Sequence, residues 1–424
     1  MANSQGQITG NGGVTLASTG NVDNDAGLIA AQDDLVLHGA DLSNAGGIGI
    51  GIGMGTGILS QAGAVSLKVQ NMNNSGTLRA GQNLSTQAAS LNNSGMMYAA
   101  GAQTVAVDNA LASSGTIAAA QDLTVNAGSL AGSGSNVLAA GMRGDGKLGS
   151  AGALNLTTSG ALTSAGQVLA AGGLHVTGAS LDLSDSSTGS TNANVALTAH
   201  NGNLLTRQAQ VSTPGQLTLM AKNNASQLLD NTGGLLSANQ LQVQAGRIDN
   251  TGGVILQSGT GAQDTSIHSM EAIDNDAGRI VANATDFTLS AGGALSNVDG
   301  QVEHAGTGSL TVSANGLDNT RGRVLGNGTT TLASAACVDN SDGLVAAQRN
   351  LTVGAAGINN GDGKLVATEG ALSLHSTQGS IMNAGGLIQA AQDLALVAEG
   401  PGNSLHNAQG SIIAGRDADL STGS

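Results

Sequence analysis

The stretch Val338-Asp-Asn-Ser-Asp-Gly-Leu-Val-Ala-Ala-Gln-Arg-Asn-Leu-Thr-Val353 decides the fold, because close variants of it return along nearly the whole chain. Its skeleton is an aliphatic anchor, Asn two places on, Gly four or five places on, an aliphatic-x-Ala pair, and Gln-x-Asn or Gln-Asp ahead of Leu-x-Val. Val345-x-Ala347 and Leu351-x-Val353 alternate with a period of two, which sends each pair to one face of a strand. The unit describes one coil of a solenoid rather than a catalytic loop.

Working outward, the anchors are Val22, Leu42, Met72, Leu91, Leu111, Leu130, Leu162, Leu181, Leu204, Leu229, Ile248, Ile273, Leu295, Leu317, Val338, Ile358, Ile381 and Leu405, about 18 coils of roughly 20 residues. Three short strands and three turns per coil are expected, and the fold class is an all-β parallel β-helix. Residues 1–21 read as a partial leading coil, 111–228 as irregular coils with insertions, and 229–424 as the most regular coils of one continuous segment 1–424. Two anchor spacings, 42 to 72 and 130 to 162, require insertions. The Gly-rich apolar run at 46–59 reads as one such loop, and 141–152 as the other. Phe287 falls at a core position equivalent to Leu123 and Leu351, whereas Tyr98, beside an inward Met97, is expected to face out.

Asn follows the anchor by two places in 13 of the 18 coils, including Asn231, Asn250, Asn275, Asn297, Asn319, Asn340, Asn360, Asn383 and Asn407. Stacked coils place equivalent residues about 4.8 Å apart, so these amides are expected to form a structural ladder. Five consecutive coils lack it, with Ser113, Gly132, Ser164, Leu183 and Thr206 at that place. The Gly of each coil fits a turn that needs positive φ.

Composition agrees with the period. Gly is 67 of 424 residues without a three-residue rule, and Pro is only 2, so collagen is excluded. Regularly placed hydrophobic residues make up 40% and charged ones 10%, which argues against disorder. A net charge of −15 repels phosphate and anionic membranes, leaving nucleic acid a poor partner. No apolar run is long enough for a membrane span, so no direct insertion is expected. Cys337 is the only cysteine, which leaves no disulfide framework, and no signal peptide opens the chain, which reads as a piece of something longer.

The repeat resembles the haemagglutinin repeats of filamentous haemagglutinin and of the contact-dependent growth inhibition exoproteins of Gram-negative bacteria. Ile273-Asp-Asn-Asp-Ala-Gly-Arg-Ile280, Leu317-Asp-Asn-Thr-Arg-Gly-Arg-Val324 and Ala390-Ala-Gln-Asp-Leu394 carry the resemblance, over roughly residues 20–420. It implies a right-handed parallel β-helix, exported through an outer-membrane two-partner secretion transporter and secreted or held at the cell surface as a stalk. The family plan adds an export domain before the repeats and a toxin domain after them, and neither is expected within this chain.

Candidate sites are few. Arg143-Gly144-Asp145, in the second insertion, resembles the integrin-recognition tripeptide of host matrix proteins, and an ordinary solvated turn competes with that reading. Asp23, Asp230, Asp249, Asp274, Asp318 and Asp339 precede ladder positions, yet the calcium nonapeptide is missing, so solvated faces are expected. The seven histidines share no repeat position, and Cys337 has no His near it in sequence, so no metal, cofactor or nucleophile is expected. The leading reading is a non-enzymatic stalk that projects a distal adhesive or toxin domain. An adhesin segment binding a host or neighbouring-cell receptor through 111–228 or the Arg143-Gly144-Asp145 loop is the alternative. A β-helical polysaccharide lyase is disfavoured, since four Lys, four Glu and no Trp supply little for sugar chemistry. Uncapped ends predict end-to-end self-association of the isolated chain.

Overall fold

The computed structural model describes residues 1–46, 56–261 and 265–423, so most of the first Gly-rich insertion, 47–55, lies outside the described residues. Among the described residues there is no helix, and hence none long and apolar enough to cross a membrane. The fold is a parallel β-solenoid of about 19 turns. In the coil of Val338, the first, second and third strands are Cys337–Asp339, Leu344–Ala347 and Leu351–Ala355. Each pairs in parallel with its counterpart one coil on: Val338 with Ile358, Val345 with Leu365, Leu351 with Leu372.

Residues 1–204 with 209–215 form one compact unit, and 205–208 with 216–424 form a second. In the first unit the anchors pair in the expected register, from Val22 with Leu42 through to Leu162 with Leu181. The leading residues make a coil of their own. Ala2 bridges Asp23, Gln7–Gly10 pairs with Leu28–Ala31, and Val14–Ala17 with Leu35–His38. In the second unit the anchors pair from Leu229 with Ile248 through to Ile381 with Leu405.

Inward aliphatics are buried from Val22 to Leu396, and removing them from water supplies the main driving force for stacking. Phe287 is in the core as expected, between Thr265 and Leu310. The outward positions in the second unit differ from strand to strand. First strands present Asp249, Asp274, Asp318 and Asp339, and third strands present Thr288, Thr311, Thr331 and Thr352. Second strands present Leu256, Val281, Glu303, Leu325, Ala346 and Val366.

The turn after each ladder position corrects one expectation. Positive φ falls on the residue before the repeated Gly: Ala26 (53°), Ala277 (52°), Asp299 (54°), Arg321 (56°), Asp342 (56°) and Asp362 (54°). Gly fills that place at Gly233, Gly252 and Gly385, at 62°, 61° and 69°. The Gly that follows is required by crowding instead. A Cβ on Gly278, Gly322, Gly343 or Gly363 would lie 2.0 to 2.3 Å from the carbonyl oxygen of a ladder Asn one coil earlier. "Gly at the fourth or fifth place" therefore merges two positions with different physical causes.

Candidate functional site

The ladder side chains stand two places after the anchor, at the end of the first strand, where the chain turns inward. In the second unit, Asn231 Nδ2 donates to Asn250 Oδ1, and the same bond repeats through Asn275, Asn297, Asn319 and Asn340 to Asn360, each at 2.7 Å. Asn360 to Asn383 and Asn383 to Asn407 follow at 2.6 Å. Each amide from Asn231 to Asn383 also donates within its own turn and across to the next coil, as Asn340 does to the carbonyls of Gly343 (3.4 Å) and Lys364 (3.2 Å). The Asn side chains are buried except at Asn407, and these bonds meet the demand that buried polar groups be satisfied.

In the first unit the line begins one coil earlier than expected, with Asn3 donating to Asn24 at 2.7 Å, and runs through Asn44 and Asn74 to Asn93. The Met1-Ala-Asn opening already had the anchor-x-Asn form. The coils without Asn are patched. Asn136 fills the space left by Gly132, and its Oδ1 accepts from Ser164 Oγ at 3.2 Å. Thr206 Oγ1 donates to Asn231 Oδ1 at 3.1 Å, so a hydroxyl heads the ladder of the second unit.

The aspartates beside the ladder are half-buried or buried, not the solvated face expected. Asp230, Asp249, Asp274, Asp318 and Asp339 each accept from the backbone N–H two residues on, at 2.9 to 3.1 Å. Burial raises the Asp274 pKa, opposed by the Asp276 N–H and reinforced by the charges of Asp276 and Asp249. Burial also acts on Asp230, but hydrogen bonds from Thr232 and Arg207 outweigh it and hold that carboxyl below the usual range. Arg207 Nε lies 2.6 Å from Asp230 Oδ2.

Arg143, Gly144 and Asp145 occupy the exposed tip of a small hairpin in the first unit. Met142 and Leu148 form an antiparallel bridge, and Arg143 N–H donates to Lys147 O at 2.9 Å. Gly146 N–H closes the turn on Arg143 O at 2.9 Å with φ at 79°, a value that favours Gly, while Asp145 Oδ1 accepts from Lys147 N–H at 3.1 Å. The base of the hairpin is anchored. Met142 packs against Tyr98, Ala118 and Ala139, the outward positions of three successive second strands.

Tyr98 was expected to face out, and it does leave the core side, yet it is only 8% exposed because this cluster covers it. Arg79 stacks over its ring at 5.8 Å from the centroid. Burial raises the phenol pKa, against the charge of Arg79 and with that of Asp145. A short insertion containing Met opposite a run of Ala was the sequence signal for this contact.

His304 is 1% exposed, with Nε2 2.9 Å from Ala284 O and Nδ1 unpartnered. Cys337 is exposed and pairs with Gly357 one coil on. No group of three or more potential metal ligands occurs among the described residues.

The haemagglutinin repeat family matches residues 2–69, 53–96, 98–142, 129–190, 179–269, 338–379 and 368–424. The chain is similar to Toxin CdiA of Yersinia pestis, 33% identical over 162 residues, 38% of this chain and 5% of that protein. It is also 30% identical over 298 residues to Deoxyribonuclease CdiA of Dickeya dadantii (strain 3937), 64% of this chain and 8% of that protein. A third relative, tRNA nuclease CdiA-2 of Burkholderia pseudomallei (strain 1026b), is 39% identical over 87 residues, 20% of this chain and 3% of its own length. The chain thus spans less than a tenth of the curated relatives it matches. No solved structure matches it. With that repeat matched over most of its residues and folded as stacked parallel coils, the chain belongs to the haemagglutinin-repeat family, whose members are secreted or surface-displayed exoproteins.

Proposed function

We propose that this chain acts as a non-enzymatic stalk segment of a large bacterial exoprotein, holding a distal adhesive or toxic domain away from the cell after export through an outer-membrane two-partner secretion transporter. The observation that supports it most is the unbroken amide line from Asn231 to Asn407, in which each coil is bonded to the next by side chain as well as backbone. Such stacking favours extension and stiffness, with stability built from neighbour contacts. The nuclease activities in the relatives' names belong to those proteins; here the repeat is a scaffold.

Deleting residues 338–357, one anchor-to-anchor repeat, from the parent exoprotein tests this reading. The distal domain should move closer to the cell by about 4.8 Å per coil removed, with adhesion or toxin delivery retained. Loss of the distal activity without any change in reach would overturn it.

A second reading is direct adhesion through the Arg143-Gly144-Asp145 hairpin, supported by its exposed tip and fixed base. Asp145→Glu keeps the charge and lengthens the side chain. Cell binding unaltered by that variant removes the reading.

A further inference from the structure

Over three coils of the second unit the outward face of the second strands is aliphatic and bears free cations, with Glu303 at one edge and Gln389 at the other. Leu325, Ala346 and Val366 are neighbours in register, half-buried, with the small Ala between two larger side chains. A groove of about 440 Å³ runs from Glu303, whose carboxylate is held by Arg279 and Gln301, past Leu325 and Ala346 to Asn327, Gln348 and Thr368. Arg323 and Lys364 stand on the same strands two residues before Leu325 and Val366, both exposed. Neither has an ion-pair partner among the described residues, whereas Arg279, on the same face, is engaged by Glu303 at 3.1 Å. In a chain of net charge −15, two unpaired cations beside an aliphatic stripe form a pattern the stacking does not need.

The first unit shows how such a face is covered. There the equivalent strand positions, Tyr98, Ala118 and Ala139, are shielded by the chain's own hairpin, which seats Met142 among them. No described segment does this over Ala346.

We propose that the face centred on Ala346 docks an acidic, amphipathic hairpin or extended segment of a partner protein. An aliphatic or Met side chain of that segment enters the dip at Ala346, and its carboxylates meet Arg323 and Lys364. The size of the face fits a segment rather than a domain. Three coils at about 4.8 Å by four residues at about 3.3 Å give on the order of 200 Å², well short of the roughly 800 Å² per partner of a stable protein interface. Charge sets orientation and encounter rate, and the apolar contact holds the complex.

The probe is a display library of disulfide-closed nine-residue hairpins selected against the whole chain. Enriched sequences should carry Leu, Ile or Met flanked by Asp or Glu. They should lose at least tenfold in affinity on Val366→Asp, and separately on Arg323→Glu with Lys364→Glu, while weakening as salt rises. Both substitutions alter outward side chains, and unchanged thermal unfolding of each variant confirms that the coils persist. No enrichment, enrichment of basic hairpins, or binding indifferent to both variants overturns the proposal. Phosphatidylglycerol vesicles are the second arm. Vesicle binding that depends on Arg323 and Lys364, in the absence of hairpin binding, also overturns it by assigning the face to a lipid surface. The coil number is unchanged in these variants, so failure here leaves the stalk reading untouched.

Discussion

The carbonyl oxygen of Asn319 lies 2.3 Å from where a Cβ on Gly343 would be, although Gly343 itself has no positive φ. The turn thus needs the absence of a side chain at one residue and a left-handed backbone at its neighbour, Asp342, at 56°. Gly343→Ala should destabilise the fold by about 1 to 3 kcal/mol or more, since the crowding atom is backbone and has nowhere to go. Asp342→Gly relieves a strained φ and should change stability by less than about 1 kcal/mol. Urea unfolding of the two variants checks the contrast, and equal effects would contradict it.

Asn340 sits between two ladder amides, so its removal leaves both neighbours short of a partner. Asn340→Ala should cost about 2 to 4 kcal/mol, the sum of a lost donor for Asn360 Oδ1 and a lost acceptor for Asn319 Nδ2. The double variant Asn319→Ala with Asn340→Ala should cost less than the two single losses together, because both singles break the same Asn319–Asn340 bond and the double leaves neither of its ends orphaned. Strict additivity in chemical denaturation would show that the amides do not act as a line.

Asp230 and Asp274 occupy one column of the second unit and should respond to pH with opposite signs. The Asp274 pKa is raised by burial, so its ionisation penalty is absent below the usual carboxylate value and fully present above the raised one. Asp274→Asn should therefore raise the melting temperature at pH 7, with the gain vanishing as the pH falls through that window. Asn359, which already stands in this column and donates to Asp339 Oδ1 at 3.2 Å, shows that the amide fits.

The Asp230 pKa is lowered, so its contribution is present above the usual value and lost as pH falls through the lower one. Asp230→Asn should lower the melting temperature at pH 7 and matter progressively less in acid. Parallel pH profiles for the two variants would contradict the assignment.

Tyr98 and Met142 hold the hairpin down on the outer face. Tyr98→Ala should free residues 142–148 and speed tryptic cleavage after Arg143 and Lys147 by about tenfold, since cleavage tracks local opening. Global unfolding should change far less, because the cluster lies outside the core. An unchanged cleavage rate would mean that the hairpin is held by its own hydrogen bonds alone.

The period in the sequence determined the solenoid, the pairing register and the ladder, because each depends on residues recurring at one position in every coil. Val338, Val345 and Leu351 are readable as inward from alternation alone, and Asn340 from its return two places after the anchor. Contacts across coils decided the rest. The same Gly-containing turn assigns φ to Asp342 and closeness to Gly343, a division that only the carbonyl of Asn319 reveals. Asn136 reaches the space beside Gly132 out of step with the repeat, and Tyr98 is covered by an insertion 44 positions further on at Met142. A repeat reports what every coil shares, whereas departures from it acquire their partners only when the chain is folded.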